Sequence, residues 1–329
     1  MNGWVTLLAL FGFSLTPAAP YRWVLMDQQR LATEEVLIIA RDDLGNKYFA
    51  TRKGLTWVNR GDEFRIFNRE KTGGGLGSDS ITSLGLDRYR SLWVGTDGGG
   101  LSVYTNGQWR RYTRANTNGG LPDDGVLALA LYKEETWVAT RNGFALLRGT
   151  VWTPYSGEAI SGRLPHPRVT AIAVDSNGDK WLGTIGGLVK FTGTSWTRFN
   201  RANTSELPHD GVTYLRVDAK GSLWAGTQAG LARRERNGKW SSFQSDPKLE
   251  ELAGEVVYSI TLGPVGEIWA CIKGGAVRYA DGNWTVFTKN NYSGLLTRYV
   301  YYALPGVDNE VWFATGKGAV AMYPPAEEE

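Results

Sequence analysis

The sequence predicts an all-β protein, a single seven-bladed β-propeller whose blades each hold four strands. Three observations predict it. An aromatic residue recurs at Tyr48, Trp93, Trp137, Trp181, Trp224, Trp269 and Trp312, at spacings of 45, 44, 44, 43, 45 and 43 residues. A glycine follows each by six residues (Gly54, Gly99, Gly143, Gly187, Gly230, Gly275, Gly318). A β-branched residue precedes most of them by twelve (Val36, Ile81, Val169, Val212, Val257, Val300), with Val126 one residue closer. A second aromatic comes fifteen or sixteen residues later, at Phe64, Trp109, Trp152, Trp196, Trp240 and Trp284. A unit of about 40–45 residues repeated in this way is the signature of propeller blades. The 42 glycines and 14 tryptophans fit short strands and tight turns, and would destabilise a helical solenoid.

The fifth copy shows the unit. Residues 212–217 alternate and form the first strand, and Asp218-Ala219-Lys220-Gly221 turns the chain. Strands at 223–227, 231–234 and 240–243 follow, separated by Gln228-Ala229-Gly230 and by the hairpin tip Asn237-Gly238. The seventh copy lacks a fourth strand, because its place falls among Glu327, Glu328 and Glu329. Residues 23–26, Trp-Val-Leu-Met, precede the first blade and match the Trp-x-x-aromatic pattern of the fourth strands, with Met26 in the last place. They are expected to pair with residues 319–323 and close the ring, so that no terminal blade is left open.

The N-terminus differs from the repeats. Residues 4–15 are an apolar run of twelve. At about 1.5 Å per residue such a helix is too short for a hydrocarbon core of about 30 Å. Thr16-Pro17-Ala18-Ala19-Pro20 follows, small and helix-breaking. The two segments read as a signal-peptide core and its cleavage region, without the usual charged start. The expected organisation is a signal peptide at 1–18, the propeller at 19–324 and an acidic tail at 325–329. The mature chain has no membrane span, and its expected location is periplasmic or secreted. The 36 basic and 33 acidic residues nearly balance, which argues against a nucleic-acid partner. One cysteine and two histidines exclude a disulfide framework, a multi-cysteine metal site and a three-histidine zinc site.

Here the repeat meets a family. The unit Leu207-Pro208, Val212, Asp218, Gly221, Leu223-Trp224-Ala225-Gly226-Thr227, Gly230-Leu231 resembles the two-component regulator propeller repeat. Residues 164–188 and 76–101 resemble it too, and the likeness runs over about residues 21 to 323. The resemblance implies a periplasmic ligand-sensing propeller with a leaning toward carbohydrate breakdown products. Family members usually add a second propeller, a further β-domain, a membrane span and a kinase. This sequence carries none of these, so the expectation is a lone binding propeller.

Most conspicuous residues read as structural. One ring aromatic per blade suits inter-blade packing. Cys271 fills a slot held elsewhere by Ala or Gly, and reads as a small buried hydrophobe. Asp42, Asp87, Asp175 and Asp218 open turns whose amides they can bind. Asp175-Ser176-Asn177-Gly178-Asp179 has the look of a calcium loop but lacks its terminal glutamate. No metal site and no cofactor is expected.

The loops carry the informative variation. Those entering the first strand and those joining the second to the third should emerge on one face, around the channel mouth. There the framework repeats while the polar tips change, which is how a propeller builds one asymmetric site. The candidate ligand-binding residues are Arg52, Asp124, Arg141, His166, Arg168, His209 and Lys273. Mixed Arg, Asp and His suit a polar small molecule or carbohydrate. A protein-interaction scaffold is the first alternative. The second is an enzyme resembling the streptogramin lyases, in which His166 or His209 would be a general base. No nucleophile, base and orienting group can be read together, so no catalytic residue is assigned.

Overall fold

The computed structural model describes residues 21–26, 28–244, 246–306 and 310–324. The expected signal peptide and acidic tail lie outside the described residues. Within them the chain forms seven four-stranded antiparallel sheets, each in chain order except the last. The first strands of the blades line the central channel: Val36–Arg41, Ile81–Leu86, Val126–Tyr132, Val169–Val174, Val212–Val217, Val257–Leu262 and Val300–Pro305. Each of them is bulged just after its opening β-branched residue, as between Val212 and Tyr214. A bulge at this position bends the strand where it enters the channel wall.

Ring closure is as the repeat count required. The N-terminal strand Arg22–Leu25 pairs with Gly318–Tyr323, in the register Trp23 to Met322 and Leu25 to Val320. The Met26 amide extends the ladder to the Ala319 carbonyl at 2.9 Å. Trp23 stacks on Phe313 at 5.9 Å, and Met26 joins a buried cluster with Leu31, Val36 and Ile39. The same strand therefore completes blade 7 and packs toward blade 1.

Adjacent blades meet through apolar clusters and a small number of directed bonds. Trp181 is buried with Leu207, Val212, Leu215 and Ala225 of blade 5. Threonines on the first strands reach across to the next blade's backbone. Thr82 Oγ1 donates to Val126 O at 2.6 Å, Thr213 to Val257 O at 2.6 Å and Thr261 to Ala303 O at 2.7 Å.

The ring aromatics also need a polar partner, since a buried indole N–H left unpaired is costly. In blades 2, 4 and 5 the turn aspartate supplies it. One carboxylate oxygen of Asp218 accepts the Ser222 amide at 2.8 Å, and the other accepts Trp224 Nε1 at 2.9 Å. Asp87 serves Trp93 and Asp175 serves Trp181 in the same way, and Asp42 reaches the Tyr48 hydroxyl at 3.4 Å. Blades 3, 6 and 7 have Leu131, Gly263 and Gly306 in the aspartate's place, and carry Glu135, Glu267 and Glu310 four residues later. Glu135 accepts Trp137 Nε1 at 2.8 Å and Glu310 accepts Trp312 Nε1 at 3.2 Å. Glu267 instead accepts the Val265 amide, which leaves Trp269 Nε1 without a partner among the described residues.

The turn between the second and third strands depends on glycine. Gly143 has φ +96°, and a Cβ there would collide with the Tyr155 carbonyl oxygen. Thr140 Oγ1 donates to the Gly143 carbonyl at 2.9 Å and fixes the turn. Blade 2 departs from the six-residue spacing. Its turn holds one residue more, and Gly100 rather than Gly99 takes the positive φ and the bond from Thr96.

Trp181→Ala empties an inter-blade pocket and should destabilise by roughly 3–5 kcal/mol. Chemical denaturation followed by circular dichroism measures this, and an unchanged midpoint would show that the indole carries no packing. Glu135 gives a pH dependence. Burial raises its pKa, but the bonds from Arg148 and Trp137 outweigh this and hold it below the ordinary 4.5. Its stabilising contribution is therefore complete above about pH 4.5 and is lost as pH falls through the lower, folded-state value. Glu135→Gln should flatten that acid limb, and an identical limb in the two proteins would contradict the assignment.

Candidate functional site

The loop face is held together by backbone bonds within and between blades. The Arg141 amide, in the turn of blade 3, donates to Gly125 O in the loop entering the same blade at 3.0 Å. Two residues on, Gly143 donates to Pro167 O of the loop entering blade 4 at 2.7 Å. Gly54 to Asp79, Gly100 to Asp124 and Gly274 to Arg298 repeat this link. Entering loops and turns therefore share one face, and its backbone is fixed from blade to blade.

On that frame the seven predicted residues fall into three groups. Arg52, Arg141 and Lys273 are neutralised. Arg52 pairs with Glu35 at 3.2 Å, Lys273 with Glu255 at 3.0 Å, and Arg141 with Asp97 of the neighbouring blade. Asp124, His166 and His209 hold loops. Asp124 Oδ1 accepts the Arg114 amide at 2.6 Å, as Asp79 and Asp210 do for Arg69 and Arg201. His166 Nδ1 accepts the Arg168 amide at 3.0 Å, and His209 Nδ1 accepts the Gly211 amide at 2.8 Å. Asp123 does this work in blade 3. An Nδ1 that accepts places the ring proton on Nε2, so each imidazole offers a donor outward. Arg168 stands alone as an exposed guanidinium with no side-chain partner among the described residues.

The two nearly identical loops beginning at Arg114 and Arg201 have a structural cause. Asn116 Oδ1 accepts the Thr113 amide at 2.7 Å, and Asn203 Oδ1 accepts the Asn200 amide at 2.9 Å. Residues 175–179 likewise form a closed turn. Asp175 Oδ1 accepts the amides of Asn177 and Asp179, and Asp179 pairs with Lys190 at 2.7 Å.

The loop reading passed over the channel wall. A cavity of about 220 Å³ opens there, lined by the first strands and by Tyr214, Arg216, Tyr258, Tyr301 and Tyr302. Its mouth joins the rim, because Tyr301 donates to Glu35 Oε1 at 2.8 Å while Arg52 holds the other oxygen. Burial, with Glu35 beside it, raises the Tyr301 pKa, so the phenol keeps its proton. The sequence signal was present. At the place of Arg216 the other blades carry Ala40, Gly85, Ala130, Ala173, Thr261 and Leu304.

Cys271 is fully buried, and burial pushes its thiol up to about 12. It should not react with an aromatic disulfide reagent in the native protein, and should react fully in urea. Rapid native labelling would contradict this.

No protein-family model and no curated protein sequence matches the chain. Solved structures do. The extracellular domain of a hybrid two-component system from B. thetaiotaomicron matches at 19% identity and TM-score 0.77, over 92% of this chain and 42% of that one. The present chain thus spans less than half of that domain. A streptogramin B lyase matches at 16% identity and TM-score 0.68, over 92% of this chain and 98% of that one. YCF48, solved bound to D1 peptide, matches at 13% and 0.62, over 94% and 97%. At these identities the likeness is one of fold: a seven-bladed propeller of the kind found in two-component sensors, in a lyase and in a peptide-binding protein.

Proposed function

We propose that this protein is an exported, sensor-type binding propeller, periplasmic or secreted, that takes a polar small molecule at the mouth of its channel. The ligand class we favour is carbohydrate. One observation carries the reading. Three rim cations are paired with Glu35, Asp97 and Glu255, whereas among the described residues the Arg168 side chain and the Nε2 atoms of His166 and His209 have no partner, on two adjacent blades. Such donors on a fixed backbone suit a hydroxyl-rich ligand, which needs several hydrogen bonds at once. The resemblance to two-component propeller repeats and the extracellular domain matched above support the same direction. The peptide-bound YCF48 favours a protein partner as the second reading.

A thermal-shift screen against oligosaccharides, with and without EDTA, is the first test. The decisive variant is Arg168→Ala with His209→Asn. Asparagine keeps an acceptor for the Gly211 amide, so the loop is preserved while the imidazole donor is lost. Binding of the sugar found should weaken by about 1–3 kcal/mol with the melting temperature nearly unchanged. Normal binding by this variant would move the site elsewhere. A panel with no response, beside capture of a defined protein, would favour the scaffold.

A further inference from the structure

Arg216 is the strongest unexplained feature of the molecule. It lines both the cavity of about 220 Å³ and a second one of about 440 Å³ farther along the channel, which places it at the waist between them. Among the described residues no aspartate or glutamate lines either cavity. The other cation there, Arg41, is neutralised by Glu310 at 3.0 Å. Arg216 has no ion pair among the described residues. Its Nε donates to Ile260 O of the next blade at 3.3 Å, and Tyr214 and Tyr302 line the cavity with it.

Arg216 is half-buried, and the hydration it loses is not offset by a counter-charge. The surrounding hydroxyls sharpen the point. Tyr214 and Tyr302 lie side by side on the cavity wall, and burial followed by the nearby Tyr214 keeps the Tyr302 phenol protonated. Each neutral phenol carries one O–H that it can donate. Cation and phenol hydroxyls together offer donors, with no carboxylate beside them among the described residues. The space is several times that of a water molecule, about 30 Å³.

We propose that the channel binds a small oxyanion, a carboxylate or phosphate group, on Arg216, with a tyrosine hydroxyl donating to the same ion. The site lies inside the channel and does not depend on the rim donors Arg168 and His209. A guanidinium favours planar, two-oxygen recognition of either group.

Calorimetric titration of the whole chain at constant ionic strength tests it, with acetate, glucuronate and inorganic phosphate as probes and glucose as the uncharged control. At least one oxyanion should bind the wild type. Preference for phosphate would identify a phosphate ligand, and preference for glucuronate a sugar acid. Arg216→Gln should weaken that binding at least tenfold and melt no lower than wild type, because it removes an unpaired charge. Arg168→Ala with His209→Asn should bind acetate and inorganic phosphate as wild type does. If Arg216→Gln fails to fold, Tyr302→Phe takes its place, with weakening of at least threefold expected. Absence of oxyanion binding to the wild type overturns the proposal, and so does wild-type binding by the folded channel variant. If the rim variant alone loses glucuronate, the channel assignment fails while the rim reading stands.

Discussion

A four-stranded sheet has two faces, and a propeller blade can leave neither bare. Each blade here is covered by its neighbours on both sides, so the array is stable only as a closed ring. That makes one short segment disproportionately important. The strand Arg22–Leu25 supplies the missing ladder of blade 7, and Trp23 covers Phe313 while Met26 packs toward Val36 and Ile39 of blade 1. A nearby glycine confirms how tightly the seam is closed, since a Cβ on Gly294 would collide with the Trp23 ring. The channel exists only as a consequence of this closure. Its wall is the set of seven first strands, and no pair of blades could form it alone.

The ring was legible in the sequence because its aromatics cannot move. An indole between two blades tolerates little displacement, so its spacing stayed within two residues over seven copies. What surrounds it was only half legible. The aspartates of blades 2, 4 and 5 read as turn residues, which is one of their two roles; the bond to the indole needed coordinates. Glu135 and Glu310 perform the second role from a different chain position. The exchange was visible in the repeats as loss of Asp together with gain of Glu. It drew no inference, because a surface glutamate ordinarily needs no explanation. The shift from Gly99 to Gly100 was missed for a related reason. Counting from the tryptophan fixes the start of a turn, and the turn's own length decides which glycine takes the positive φ.

The candidate site was legible in place but not in chemistry. Strand order alone puts Arg52, Asp124, Arg141, His166, Arg168, His209 and Lys273 in loops of one face. It does not say which charges cancel. Arg141 and Asp97 lie 44 residues apart and meet because their turns are neighbours around the ring. His166 and His209 hold equivalent places in adjacent blades, and in the lyase-like alternative one of them would be a general base. Their equivalence has a simpler origin, since both occupy the position at which Asp123 also accepts an amide two residues on. That bond fixes the tautomer, and it turns each histidine from a base at Nδ1 into a donor at Nε2.

Arg216 shows what a reading by loops leaves out. A first strand has to do two things: fill the space near the axis and bond to its neighbours. Small and aliphatic side chains accomplish the first in the other six blades, and Thr82, Thr213 and Thr261 accomplish the second at little cost. Arginine meets neither need well. Its bond to Ile260 O could come from a threonine, as Thr261 demonstrates one blade farther on with Ala303 O. Its bulk fits only because the channel is open beside it. Phenols line the cavity with its charge, and no carboxylate does among the described residues. A packing role accounts for none of these choices. An unpaired guanidinium beside an open channel is suited instead to binding an oxyanion.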